Sequence, residues 1–152
     1  MGNRAVIAFQ DASHTEVQPD SVGVYLHWNG GPQSVVAFLD AAKYLGVRRE
    51  DEYGAARLCQ IIGNWFGGNL SIGIGTCRTM DTDNWDNGTY VVDLENHGWK
   101  IARRIHNYMN VKDKGFDGIE DYSVYDHDRQ DAILAEVLEV NRPIFQPEKV
   151  AS

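Results

Sequence analysis

Val24-Tyr25-Leu26-His27-Trp28-Asn29-Gly30-Gly31-Pro32-Gln33-Ser34-Val35-Val36 starts as an apolar, β-branched run and becomes a helical pattern beyond two glycines and a proline. Proline suits the first helical position, because its missing N–H would have had no partner there. A strand that stops at Gly30-Gly31 and restarts as a helix aims backbone N–H groups and a positive helix end at one point. His27, Trp28, Asn29, Gly30, Gly31 and Ser34 surround that point, a candidate ligand site for a phosphate, a carboxylate or a nucleotide. The competing reading is a tight architectural turn with a packed tryptophan, and on balance the stretch reads as that hinge. Strand periodicity puts Val22, Val24, Leu26 and Trp28 on one face and Gly23, Tyr25 and His27 on the other. His27 and Trp28 are therefore expected on opposite sides of the sheet unless the strand ends before them.

Before this stretch, residues 4–9 read as a first strand and residues 10–21 as a polar loop. After it, Val35, Phe38, Leu39, Ala42 and Leu45 recur at helical spacing up to a stop at Gly46. Ala55, Leu58, Cys59, Ile62, Trp65 and Phe66 form the apolar stripe of a second helix over about residues 51–66. Leu70, Ile72 and Ile74 alternate with small residues as a half-buried strand. Asn87-Gly88 opens a strand over 89–94, a turn follows at 95–98, and a strand returns over 99–105. Ile133, Val137 and Val140 mark a helix over about 128–140, and Pro143 and Pro147 are expected to end regular structure. The pattern predicts an α+β fold: an antiparallel sheet of about five strands, two amphipathic helices on one face, and an additional C-terminal helix. Residues 1–105 form the expected core domain. Residues 106–152 form an acidic extension, docked on the core because it is too poor in apolar residues for a core of its own.

A chain of 152 residues fits one domain with a sizeable core. Its net charge of −8 argues against direct nucleic-acid binding and suits an acidic surface that meets a basic partner. The two cysteines, Cys59 and Cys77, lack metal-ligand spacing, which implies free thiols in a reducing, cytoplasmic setting. No apolar run is long enough to span a membrane, and the N-terminal stretch lacks the apolar core of a signal peptide. None of the five histidines pairs with another at metal-ligand helical spacing, and no nucleophilic triad can be read from spacing.

Asp81-Thr82-Asp83-Asn84-Trp85-Asp86-Asn87-Gly88 carries three carboxylates and two amides in eight residues. Ca²⁺ or Mg²⁺ at Asp81, Asp83 and Asp86 fits the oxygen chemistry, but the calcium-loop pattern fails because Trp85 stands at a ligand position. No cofactor is expected. Asp81, Asp83, Asn84, Trp85 and Asp86 are candidate partner-binding residues instead, since a tryptophan in so polar a loop is costly to expose. Nine acids between Asp113 and Glu139 stand against Lys114 and Arg129, a net of −7 in that stretch. Asp117, Glu120, Asp121, Tyr122 and Tyr125, where acids and aromatics interleave, make a second candidate partner surface. A solvated acidic face is the commoner reason for such a stretch.

Met1-Gly2-Asn3-Arg4-Ala5-Val6-Ile7, Tyr25-Leu26-His27-Trp28-Asn29-Gly30-Gly31 and Asp81-Thr82-Asp83-Asn84-Trp85-Asp86-Asn87-Gly88-Thr89-Tyr90 together resemble a family of short proteins of phages, plasmids and bacterial mobile elements. The resemblance covers roughly residues 1–105 and names no activity. Its setting implies an accessory or counter-defence role in the host cytoplasm, through a host defence protein or its nucleotide signal. The expectation is a non-enzymatic, anti-CRISPR-like inhibitor of a host protein, such as a basic nucleic-acid-binding complex. The alternative is a small-molecule or nucleotide-binding protein, a signal sponge or nucleotide enzyme, with its site at the His27–Gly31 junction.

Overall fold

The computed structural model describes residues 3–50, 52–67, 71–106, 111–115 and 127–150. Strands β1 (Ala5–Phe9) and β2 (Val22–Leu26) precede helices α1 (Pro32–Leu45) and α2 (Tyr53–Phe66). Strand β3 (Ile72–Thr76) runs into a 3-10 turn at Cys77–Thr79. Strand β4 (Thr89–Val92), a single turn α3 (Leu94–His97), β5 (Ile101–His106), β6 (Val111–Gly115), α4 (His127–Phe145) and the short α5 (Pro147–Val150) follow among the described residues.

The fold is α+β, with the sheet order β3-β2-β1-β4-β5-β6. The sheet is mixed rather than wholly antiparallel, because the central neighbours β1 and β4 run parallel, with Ile7 opposite Tyr90. Two strands and two helices intervene between them, which gives the chain room for the crossover that a parallel pair requires. The sixth strand, Val-Lys-Asp-Lys-Gly, pairs with β5. It lacks the apolar alternation by which a strand is recognised.

Strand alternation sorts the core into two layers. Ala5, Ile7, Val24, Leu26, Tyr90 and Val92 join Val35, Phe38, Leu39, Leu58, Ile61 and Ile62 of α1 and α2 beneath the helices. Full burial of a side chain such as Phe38 contributes about 1.5–3 kcal/mol. On the other face, Val6, Ala8 and Cys77 pack with Val17, Tyr25 and Met80 under the connecting loops. Helix α1 ends where expected, with Gly46 left-handed at φ 65° and its N–H returned to the last turn.

Helix α4 puts Ile133 and Val137 into the main core, so the extension shares that core. Asn141, fully buried, donates to the Ile61 carbonyl at 3.1 Å and the Val137 carbonyl at 2.8 Å, and accepts from Asn64 at 2.9 Å. Contrary to expectation, Pro143 does not end the helix, which continues to Phe145. Pro143 removes one backbone bond close to the helix end. The last turn is held by Phe145 against the core and by the Gln146 N–H bonding to the Arg142 carbonyl at 2.8 Å. The Gln146 side chain reaches the Tyr44 and Leu45 carbonyls, acceptors that the end of α1 leaves open.

Candidate functional site

The entry to β1 joins the three motif stretches. Asn3 donates its backbone N–H to the His27 carbonyl at 3.3 Å and accepts from the Gly30 N–H at 2.8 Å. The Gly30 carbonyl accepts from the Tyr90 hydroxyl at 2.9 Å. A Cβ on Gly30 would lie 2.6 Å from the Asn3 carbonyl oxygen and 2.7 Å from the Ala5 Cβ, so only glycine lets the two segments touch. Both polar backbone groups of Gly30 are thus engaged within the protein, and its N–H is not presented to a phosphate. Gly30, Gly31 and Ser34 are buried. Asn29 adopts φ 59° and holds Ser34 Oγ at 3.5 Å, while Gly31 caps α1 with no side-chain bond. The hinge reading of this turn accounts for these contacts.

The Asp81–Gly88 loop is built on Asn84. Its side chain is fully buried, and its oxygen accepts from the N–H groups of Asp86, Asn87 and Gly88 at 3.3, 3.0 and 3.0 Å. Its Nδ2 donates to the carbonyls of Asp81 and Gly88, both at 3.0 Å. Asn84, expected on the partner surface, is therefore an internal brace. Asn87 donates to the Asn3 side chain and the Arg4 carbonyl, and receives Arg104 on its own side-chain oxygen.

Arg4 fastens this loop to β1. Its N–H and its Nε both reach Asp86 Oδ2 at 2.9 Å, and Nη1 reaches Asp81 at 3.2 Å. The Arg4 backbone N–H, reinforced by its guanidinium, holds the Asp86 carboxyl below its ordinary range against the opposing effect of burial. The Asp86 side chain in turn raises the Arg4 guanidinium. Arg4 supplies the positive charge between Asp81 and Asp86. Among the described residues, no group of three or more His, Cys, Asp or Glu side chains is placed to hold a metal ion.

Beside this clamp lies a polar and aromatic surface. The Tyr25 hydroxyl meets His27 Nδ1 at 2.9 Å, and the His27 ring meets Trp28 edge-on with centroids 5.1 Å apart. Burial raises the Tyr25 phenol, on which the charges of Arg4, Asp81 and Asp86 also act. Because β2 ends at Leu26, the alternation stops there, and His27 and Trp28 stand together rather than on opposite sides. Trp28 is 42% exposed and Trp85 71%. His27, Asp81 and Asp83 are also open to solvent, whereas Asp86 is half-buried beside Arg4.

Asn3, Arg4, Tyr25 and Asn87 belong to this arrangement and were not singled out from sequence. The shared strand face of Tyr25 and His27 was the available signal. Asp117, Glu120, Asp121, Tyr122 and Tyr125 lie outside the described residues. A separate groove of about 1150 Å³ lies at the opposite strand ends, lined by Phe9, Val22, Ile74 and Val92 among others. Among the described residues, no helix is long and apolar enough to cross a membrane. Compared with known protein families, with curated proteins and with solved structures, the chain matches none.

Proposed function

We propose that this chain is a non-enzymatic accessory protein of a phage or mobile element that binds and inhibits a host protein in the bacterial cytoplasm. The contact surface is the exposed rim of the clamp, with Trp28, His27, Asp81 and Trp85 as its principal side chains. The observation that carries this reading is the Asn3–Arg4 clamp, which ties the turn at Gly30 to the loop at Asp86 and Asn87. Side chains on such a braced framework lose less freedom on binding than side chains on a loose loop. Tryptophan is also the residue type most often found at the energetic centre of interfaces. The acidic balance supports a basic partner, such as a nucleic-acid-binding defence complex of the kind an anti-CRISPR-like inhibitor meets.

Quantitative affinity capture from host lysate tests the proposal. Wild type should enrich a specific partner, and Trp85→Ala should reduce its recovery by about tenfold or more with the fold intact. Equal recovery with Trp28→Ala and Trp85→Ala would overturn the assignment of this surface. The nucleotide-binding alternative is favoured by one observation, the contact between the His27 and Trp28 rings beside the Tyr25 hydroxyl. A thermal shift with a nucleotide or cyclic nucleotide, abolished by Trp28→Ala, would replace protein binding with that reading.

A further inference from the structure

We propose that the crevice outside the carboxyl ends of β1 and β4 binds a small organic cation, an amine or guanidine carried on an apolar body. The site lies at the strand ends opposite to the clamp at Arg4 and Gly30.

The topology places a crevice there. Strands β1 and β4 are parallel neighbours, and both end on this side of the sheet, at Phe9 and Val92. The chain leaves β1 for β2 on one side and leaves β4 for β5 on the other. Where the connections of parallel neighbours part in this way, open sheets commonly hold their ligands. The groove of about 1150 Å³ occupies that position. Its floor is a row of apolar residues in register on neighbouring strands, Val22, Phe9 and Val92. Val22 is exposed and Phe9 half-buried, so part of the row is open. Facing it, α2 presents Ala55 and Ala56, side chains too short to fill the space. Leu94 packs against Gly54, which brings the segment after β4 up to the same helix.

Charge gives the class of the ligand. Asp11, Glu50, Glu52, Asp93 and Glu95 line the groove, and among the described residues Arg49 is the one cation that lines it. Asp93 follows β4 directly and is only 5% exposed. Burial pushes its carboxyl up, but hydrogen bonds from Asn96 and from the Ala12 N–H at 3.0 Å outweigh that and keep it charged. The Ala12 bond also sets Asp11 beside Asp93, where the two charges repel. A protein-walled cleft lined by one sign of charge concentrates ligands of the other sign. An amine or guanidinium head relieves the repulsion, while an apolar body covers Phe9 and Val22. A bare metal ion is a poorer occupant, since among the described residues no three His, Cys, Asp or Glu side chains converge to hold one.

The test uses phenylbutylamine, with the neutral phenylbutanol and the anionic phenylbutanoate as controls of the same shape. Titrated into the isotope-labelled full-length protein, the amine should give saturable NMR shifts at Gln10, Asp11, Leu94 and Glu95. Phenylbutanol should bind about tenfold more weakly or worse, and phenylbutanoate should not saturate. Asp11→Asn/Glu95→Gln should weaken the amine about tenfold or more. Ala56→Trp fills the groove from an exposed helix position without changing its charge, and should abolish binding with the unfolding midpoint near that of wild type. Trp28→Ala and Trp85→Ala should leave amine binding unchanged, so that this site and the clamp surface can fail separately. Equal affinity for the three probes, shifts spread over the acidic surface, or amine binding that survives both sets of groove substitutions would each overturn the proposal.

Discussion

Replacing Asn84 by alanine would remove one acceptor shared by three backbone N–H groups and one donor shared by two carbonyls. Buried groups left without partners are expensive, so Asn84→Ala is expected to cost about 2–4 kcal/mol in urea unfolding. Asn84→Asp keeps the acceptor but loses the donor, and should fall between the two. Asp86 gives a prediction of a different kind. Its carboxyl is lowered below 3.8, first by the Arg4 backbone N–H and then by the Arg4 side chain. A lowered folded-state value means that the unfolded chain binds the proton more readily. The stabilisation is therefore complete above the ordinary carboxylate range and disappears as pH falls through the lower folded-state value. Thermal unfolding followed from about pH 6 down to pH 2 should show a shallower loss for Asp86→Asn than for wild type. Some acid sensitivity should persist in that variant, because Asp93 is also lowered. Burial pushes Asp93 up, but its hydrogen bonds from Asn96 and Ala12 outweigh that effect.

Helix α4 is fixed to α2 by Asn141, whose amide bonds on both sides with no exposure to water. Asn141→Ala would leave the Asn64 amide and the Ile61 carbonyl without this partner. It should lower stability by about 1–3 kcal/mol, measured by denaturant titration. Removing residues 127–150 altogether would uncover the core around Phe38 and Ile62, and should give a species that binds a hydrophobic dye. That truncation would therefore report on folding before it reported on any acidic binding surface. The elements differ in how far sequence reveals them, for physical reasons. Helices α1 and α2 each bury one face, and that burial leaves a period in the residues, whereas β1 and β4 are buried on both faces and show as continuous apolar runs. Strand β6 carries no such period, since Lys112, Asp113 and Lys114 alternate nothing apolar. The parallel pairing of β1 with β4 joins residues more than eighty positions apart, and no local pattern encodes it. The clamp escaped reading for the same reason: Arg4 finds Asp86 only through the sheet, and an isolated arginine before a strand looks like an ordinary surface charge. By contrast, the turn at Gly30-Gly31 was legible because Pro32 and the helical spacing after it mark where the strand gives way to a helix, although it is the close approach of Asn3 and Ala5 that demands Gly30.

Among the described residues the sheet has two unequal covers, helices α1, α2 and α4 on one side and connecting loops on the other. Cys77 lies under the second cover, and burial raises its thiol from 9.0 to about 11. At pH 8 the thiolate available for attack is thereby reduced about a hundredfold relative to the ordinary value. Cys77 should label correspondingly more slowly than in urea, as measured with a disulfide reagent in a Cys59→Ala background. The reaction rate would then report how often the loop side of the sheet opens. The Arg4–Asp86 clamp also bears on the order of synthesis. During translation the first strand can find β2 soon after it emerges, but the partners that secure its entry arrive only with residues 86 and 87. Until then Asn3 can make its bonds to His27 and Gly30, while Arg4 lacks Asp86 and Asn87. Closure of this part of the sheet must therefore wait for a late segment to return to the earliest one. A ribosome paused before residue 86 would hold a nascent chain whose first strand is paired on one side and bare on the other.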